Sequence, residues 1–247
     1  MGRAVRDCLA GADDFALVAC VAPDRDGGPC PDGCAWLAPD ELSGPAGIAA
    51  LPPDLIVIDF SLAPGTERLV EALEGAPRGL VAATTGLTAG VEERVRALAS
   101  RTGVVRATNL SVGVATVVRM LQAIPLAAHG AYEADVVEHH HASKRDAPSG
   151  TALALARALT GGDPARIRAG APATDPRAAG EVRIHSLRSG TEPGTHRVVL
   201  AGAGESIEVI HRAQDRGVFA RGALRAARFL HGRAPGYYSF QDVLSQA

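Results

Sequence analysis

The chain has 247 residues, 47% of them apolar and 21% charged, with a formal net charge of −2. That length can bury one large core or two modest ones. The near-neutral balance gives no electrostatic reason to expect nucleic acid or an anionic membrane as partner. No run of about 18 apolar residues is present to span a bilayer, and no signal peptide is visible, so a cytoplasmic location is expected.

In chain order, the first half alternates apolar runs with helical patterns. Residues 15–21 predict a buried strand, followed by a loop rich in Gly, Pro and Asp through Asp32. Strands are predicted at 55–60, 79–83 and 104–107, and helices at 66–73 and 89–99, where Val91, Val95 and Leu98 share a face. Near-continuous apolar strands separated by helices indicate βαβ units and a parallel sheet. Ligands of such sheets bind beyond the carboxyl ends of the strands, where Asp59-Phe60-Ser61, Thr84-Thr85-Gly86 and Thr108-Asn109-Leu110 fall.

A helix predicted over 112–127 closes this half. A strand over 134–138, a helix over 152–159, a half-exposed strand over 181–187 and a hairpin of 196–201 with 206–211 then predict a second, α+β domain. A last helix covers 218–230. The expected division is 1–111 with 217–247 as one domain and 112–216 as the other.

Two residue types are almost absent. Of 25 lysines and arginines only Lys144 is lysine, and Asn109 is the lone asparagine. Arginine replaces lysine cheaply on a surface, but not where a compact ammonium must reach or protonate a group. The four cysteines, Cys8, Cys20, Cys30 and Cys34, lack a second ligand pair for zinc and are expected as free thiols.

The lone lysine lies in one run, Glu138-His139-His140-His141-Ala142-Ser143-Lys144-Arg145-Asp146-Ala147-Pro148-Ser149-Gly150-Thr151. Three histidines end a strand, and Ser149-Gly150-Thr151 opens a helix whose free N–H groups and dipole favour an anion. Histidine exchanges protons near neutral pH, and Lys144 can neutralise a carboxylate or donate a proton. A small anionic substrate beside a proton-transfer group follows. A plain helix cap at Ser149 and a histidine metal site are the competing readings. Alternation along a strand puts His139 and His140 on opposite sides, a poor three-ligand cluster, so no metal is expected.

The run resembles the substrate-site motif E-x-H-H-x-x-K-x-D-A-P-S-G-T of the dihydrodipicolinate reductase family, with every fixed position present. Asp59 to Thr66, Thr84-Thr85-Gly86, Asn109 to Gly113 and Arg216 to Gly222 resemble the same family, in the expected order. The resemblance implies a Rossmann-like dinucleotide domain, an α+β substrate and assembly domain, and NADH or NADPH as cofactor. It implies His140 and Lys144 as catalytic residues, with His141, Ser149, Gly150 and Thr151 contacting a small dicarboxylate. It implies Gly2, Arg3, Asp24, Ala83, Thr84, Thr85, Thr108, Asn109, Leu110 and Arg216 on the cofactor side, and a homotetramer. The implied reaction reduces 4-hydroxy-tetrahydrodipicolinate in lysine and diaminopimelate synthesis.

Departures from the family pattern concern the cofactor half. The chain begins Met1-Gly2-Arg3-Ala4-Val5, without the first strand and most of the glycine-rich turn that family members carry. Ala83, Thr108 and Leu110 replace a usual glycine, proline and phenylalanine, and Asp24 is the nearest residue for the ribose. A start codon assigned too far downstream is the expected explanation; the alternative is a real variant, a non-catalytic homologue that binds a dicarboxylate with an impaired cofactor site.

Overall fold

The computed structural model describes residues 1–23, 34–124 and 131–245. They form two compact units, one of Met1–Leu110 with Phe219–Ala247, the other of Ser111–Val218.

The first unit opens with helix α1 (Gly2–Leu9), none of whose residues is buried. Strands β1 (Ala19–Val21) and β2 (Ala35–Leu37) pair in parallel as a two-stranded sheet. Strands β3 (Ile56–Asp59), β4 (Gly79–Ala82), β5 (Gly103–Arg106) and β11 (Gly236–Ser239) form a second parallel sheet in the order β11-β5-β4-β3. Parallel strands are covered on both faces and so read as continuous apolar runs. Leu80, Val81, Val104 and Val105 accordingly show no exposed surface. Helices α2 (Ala63–Gly75) and α3 (Ala89–Leu98) pack Val70, Leu73 and Val95 against Leu80 and Val104 on one face. Their apolar residues recur at helical spacing, and Thr88 caps α3 by accepting the Val91 N–H.

The expected parallel strands are present, as two separate sheets among the described residues. No strand among the described residues joins β1–β2 to β3–β4–β5–β11. Among the described residues β1 and β3 therefore each have one hydrogen-bonded neighbour. Sequence patterning also overlooked β2, which lies beyond a loop-rich stretch, and β11, whose Gly-Tyr-Tyr-Ser lacks an apolar run. Cys34 is disulfide-bonded, contrary to expectation, while Cys8 and Cys20 are free thiols.

The second unit is a five-stranded mixed sheet in the order β10-β9-β6-β8-β7. Its strands are β6 (Glu133–His140), β7 (Ile167–Ala169), β8 (Val182–Arg188), β9 (Thr195–Ala201) and β10 (Ser206–Arg212). Strand β6 runs parallel to β8 and antiparallel to β9. Helices α4 (Val112–Gln122) and α5 (Gly150–Thr160) close one face. Their Val117, Leu121, Ala152 and Leu155 meet Val136, Ile184 and Val198 from the strands. That alternation along β6 puts Ala134, Val136, Glu138 and His140 inside and the residues between them on the other face. Helix α6 (Gly217–Leu230) leads back into the first unit, and α7 (Phe240–Ser245) ends the described chain.

Candidate active site

The period of two along β6 decides what each histidine does. Glu138 and His140 share the covered face, with 0% and 7% of their surface exposed. His139 points the other way and meets the Ser189 hydroxyl at 2.8 Å. His141 lies past the strand, its Nδ1 2.8 Å from Ser143 Oγ.

Behind His140 stands a saturated carboxylate. Glu138 binds His140 Nδ1 through Oε2 and accepts both Arg188 amino groups, at 2.9 and 2.7 Å. It also accepts the Ser149 N–H at 3.2 Å. Burial pushes the Glu138 carboxyl up, but hydrogen bonds from His140, Arg188, Ser186 and Ser149 outweigh it and hold it well below the usual range. Arg188 reaches Glu138 because it lies opposite His140 in the parallel β6–β8 register. Donor atoms of Glu138, His140 and His196 converge within 4.8 Å. Arg188 already supplies the positive charge that a metal ion would bring to Glu138.

His196, 4% exposed, packs edge-on to His140 with ring centroids 5.1 Å apart. Burial pushes its pKa down to about 3, with the His140 charge adding to the effect, so the ring is neutral at working pH. Its Nδ1 is buried without a hydrogen-bond partner among the described residues.

The loop after β6 carries Lys144, whose Nζ donates to both Asp146 carboxylate oxygens at 2.7 and 2.8 Å. Arg188 anchors this loop by donating to the Asp146 carbonyl at 2.6 Å. Gly150 and Thr151 are the first residues of α5, at the electropositive helix end. Ser149 is buried and its hydroxyl is committed to Ala152 N–H and His196. Burial lowers the pKa of His141, and the positive charges of Arg216 and Lys144 reinforce that. Those charges make this end of the sheet attractive to an anion.

The cofactor-side residues are more dispersed in character. Thr84 is buried, and its hydroxyl donates to Asp59 Oδ2 at 3.0 Å. Asp59 also accepts the Thr66 hydroxyl at 2.6 Å, so this cluster ties the carboxyl end of β3 to the loop after β4. Thr85 is exposed ahead of Gly86, whose φ of +73° suits glycine. Thr108 is exposed and Asn109 half-buried, whereas Ala83 and Leu110 are buried. The carboxyl ends of β4 and β5 thus present a backbone edge with exposed Thr85 and Thr108, which fits the edge of a dinucleotide. Gly2 and Arg3 lie exposed in the first turn of α1. Asp24 lies outside the described residues.

Comparison with known proteins identifies the family. Residues 1–110 match the family description "Dihydrodipicolinate reductase, N-terminus", and residues 113–244 match "Dihydrodipicolinate reductase, C-terminus". The chain belongs to the dihydrodipicolinate reductase family. A 4-hydroxy-tetrahydrodipicolinate reductase of Rubrobacter xylanophilus is 42% identical over 214 residues, covering 83% of this chain and 80% of the relative. One of Thermomicrobium roseum is 41% identical over 251 residues, covering 99% and 95%. The fold is shared with a dipicolinate-bound dihydrodipicolinate reductase from Paenisporosarcina sp. TG-14. That match has a TM-score of 0.71 at 20% identity, covering 96% of this chain and 92% of the other.

Within this reductase family motif, sequence reasoning singled out His140, His141 and Lys144 but assigned Glu138 no role. Arg188 and His196 went unnoticed. They lie 48 and 56 positions beyond His140 by numbering, in strands whose pairing alone brings them alongside it. No local pattern marks either residue.

Proposed function

We propose that the chain reduces 4-hydroxy-tetrahydrodipicolinate to tetrahydrodipicolinate, with NADH or NADPH as hydride donor. The observation that carries this is His140, buried at the end of β6, backed by Glu138 and followed by Lys144 and the start of α5. The C4 hydroxyl of the substrate leaves as water together with a hydrogen of the adjacent ring carbon, and bound NAD(P)H supplies a hydride to C4 of the resulting double bond.

The chain's own residues do the rest. Lys144 and the amides of Gly150 and Thr151 hold a substrate carboxylate, with His141 and Arg216 adding positive charge or hydrogen bonds. Ser149 serves that site from behind, as the cap of α5. His140 delivers a proton from Nε2 to the carbon next to the one that takes the hydride. A glycine at 194 keeps that nitrogen approachable, since a Cβ there would stand 3.0 Å from Nε2. Thr85, Thr108 and Asn109 line the cofactor, with Ala83, Thr84 and Leu110 supporting the same loops from the interior.

The domain roles follow as 1–111 with 217–247 for the dinucleotide and 112–216 for the substrate. The outer face of the five-stranded sheet leaves Leu187 and Ile210 about half exposed, which supports assembly into a homo-oligomer, a tetramer by family resemblance. No described helix is long and apolar enough to cross a membrane, and a biosynthetic reductase of this kind is assigned to the cytoplasm. A binding-only role has no use for a buried acid–base histidine, and nothing else in the site favours one.

The test is oxidation of NADPH, and separately NADH, followed at 340 nm (the usual nicotinamide absorbance, about that wavelength) with freshly prepared substrate. Substrate-dependent oxidation that His140→Gln abolishes is the expected result. Oxidation absent with both cofactors, in protein that binds them, overturns the proposal.

A further inference from the structure

The two ring nitrogens of His140 have different surroundings. Nδ1 meets a fully buried carboxylate, while Nε2 borders the bare backbone of Gly194. The carboxylate is itself clamped, by two parallel guanidinium hydrogen bonds from Arg188 and one backbone N–H from Ser149. The same guanidinium holds the loop that carries Lys144, through the Asp146 carbonyl.

We infer that Glu138 and Arg188 are positioning residues for His140. Glu138 fixes the ring with Nδ1–H inward and the transferable proton on Nε2. Arg188 offsets the Glu138 charge, so that the ring gives that proton up. The inference deepens the assignment of His140 as proton donor and rests on it.

The electrostatics support this division of labour. A lone buried carboxylate would stabilise an imidazolium strongly and make it a reluctant acid. A guanidinium is charged at every working pH and pairs bidentately with a carboxylate. When His140 loses its proton, a neutral Glu138–Arg188 pair remains rather than an isolated buried anion. In the step itself the Nε2–H bond breaks as a C–H bond forms beside the carbon that accepts the hydride from NAD(P)H. The N–H electron pair stays on Nε2, the ring ends neutral with Nδ1–H still on Glu138, and solvent returns the proton.

The ionisable and charged groups beside the ring are Glu138 on β6, Arg188 on β8, His196 on β9 and His141 just past the strand, with Lys144 paired to Asp146 on the following loop and Arg216 acting on His141. His196 is neutral, and Lys144 is paired with Asp146. Removing Glu138 or Arg188 therefore acts on His140 in opposite senses.

The experiment is the pH profile of kcat at saturating NADPH for the full chain, Glu138→Gln, Glu138→Asp, Arg188→Met and Arg188→Lys. Glu138→Gln is expected to lower kcat by about 10²–10³-fold with KM within about three-fold, because the ring is misheld while substrate contacts remain. Its alkaline limb moves to lower pH by about one unit or more, and that of Arg188→Met moves to higher pH by a similar amount. Glu138→Asp, one methylene shorter, falls between, and Arg188→Lys keeps the limb within a few tenths of a unit, on the order of ordinary scatter. Circular dichroism and thermal unfolding screen each variant, and the Asp and Lys variants serve if their partners do not fold. Limbs that stay in place, or move in the same direction in both series, overturn the inference. His140→Gln separates the two levels. Normal turnover in that variant removes the proton-donor assignment itself, whereas lost turnover with unmoved limbs in the others removes only the positioning role.

Discussion

Ser149 Oγ lies 3.3 Å from His196 Nε2 while accepting the Ala152 N–H at 3.2 Å, so one hydroxyl both starts α5 and orders a buried imidazole. A serine hydroxyl has one hydrogen and two lone pairs, so Oγ can accept the helix N–H and still pair with His196 Nε2 in either tautomer. The pattern recurs at Ser111, which caps α4 on the Val114 N–H and meets His211 Nε2 at 3.2 Å. In both cases a histidine of the antiparallel strands β9 and β10 meets the capping serine of a helix on the covered face.

Ser149→Ala removes the cap and strands a buried ring nitrogen. The cap accounts for about 1 kcal/mol and the unpaired ring nitrogen for about 1–3 kcal/mol, so a loss of roughly 2–4 kcal/mol is expected. Urea unfolding measures it, and Ser149→Thr should recover most of the difference because the hydroxyl is restored.

His196 makes stability depend on pH. Its folded pKa is lowered from 6.5 to about 3, so the unfolded chain binds the proton more readily throughout that interval. Stability is therefore present above pH 6.5 and falls as pH drops from 6.5 toward 3, by roughly 4–5 kcal/mol in all. Glu138, also lowered, contributes stability that is lost only further into acid, below 4.5. Denaturant unfolding at a series of pH values should show the upper slope, and His196→Gln should flatten it between pH 6.5 and 4.5.

Lys144→Ala should reduce kcat/KM by about 10²–10³-fold, because both a carboxylate partner and a proton-capable ammonium disappear. NADPH affinity, read by fluorescence titration, should stay within a factor of about two. Lys144→Arg should not rescue turnover, since a planar guanidinium does not reproduce a compact ammonium. Near-normal rates in either variant would remove Lys144 from the reaction.

Gly222 tests the packing of α6. A Cβ added there would fall 1.7 Å from the Leu110 carbonyl oxygen, a backbone atom that cannot swing aside. Gly222→Ala should cost about 3 kcal/mol or more, despite the better helix propensity of alanine. Thermal unfolding reports it. A stable variant would mean that the helix shifts away from the 107–110 segment.

Much of the fold was legible from periodicity. The parallel strands β3, β4 and β5 and the helix α3 fall on the predicted runs, because buried parallel strands are apolar throughout and amphipathic helices are not. Strand β11 escaped notice because its Tyr237 and Tyr238 are only half-buried and its length is four residues. The Cys34 disulfide escaped because spacing alone does not distinguish a thiol from a bridge.

At the site, Glu138 to Thr151 by itself determined the chemistry available: a histidine, a lone lysine and a helix start, adjacent in the chain because a strand runs into a turn and a helix. It also separated His139 from His140, since alternation is a property of any strand. Only the tertiary structure decided which histidine faces inward and what stands behind it. Arg188 and His196 come to His140 through parallel and antiparallel pairing across β8 and β9. Such non-local register is set by burial of one whole sheet face, not by residues near the motif.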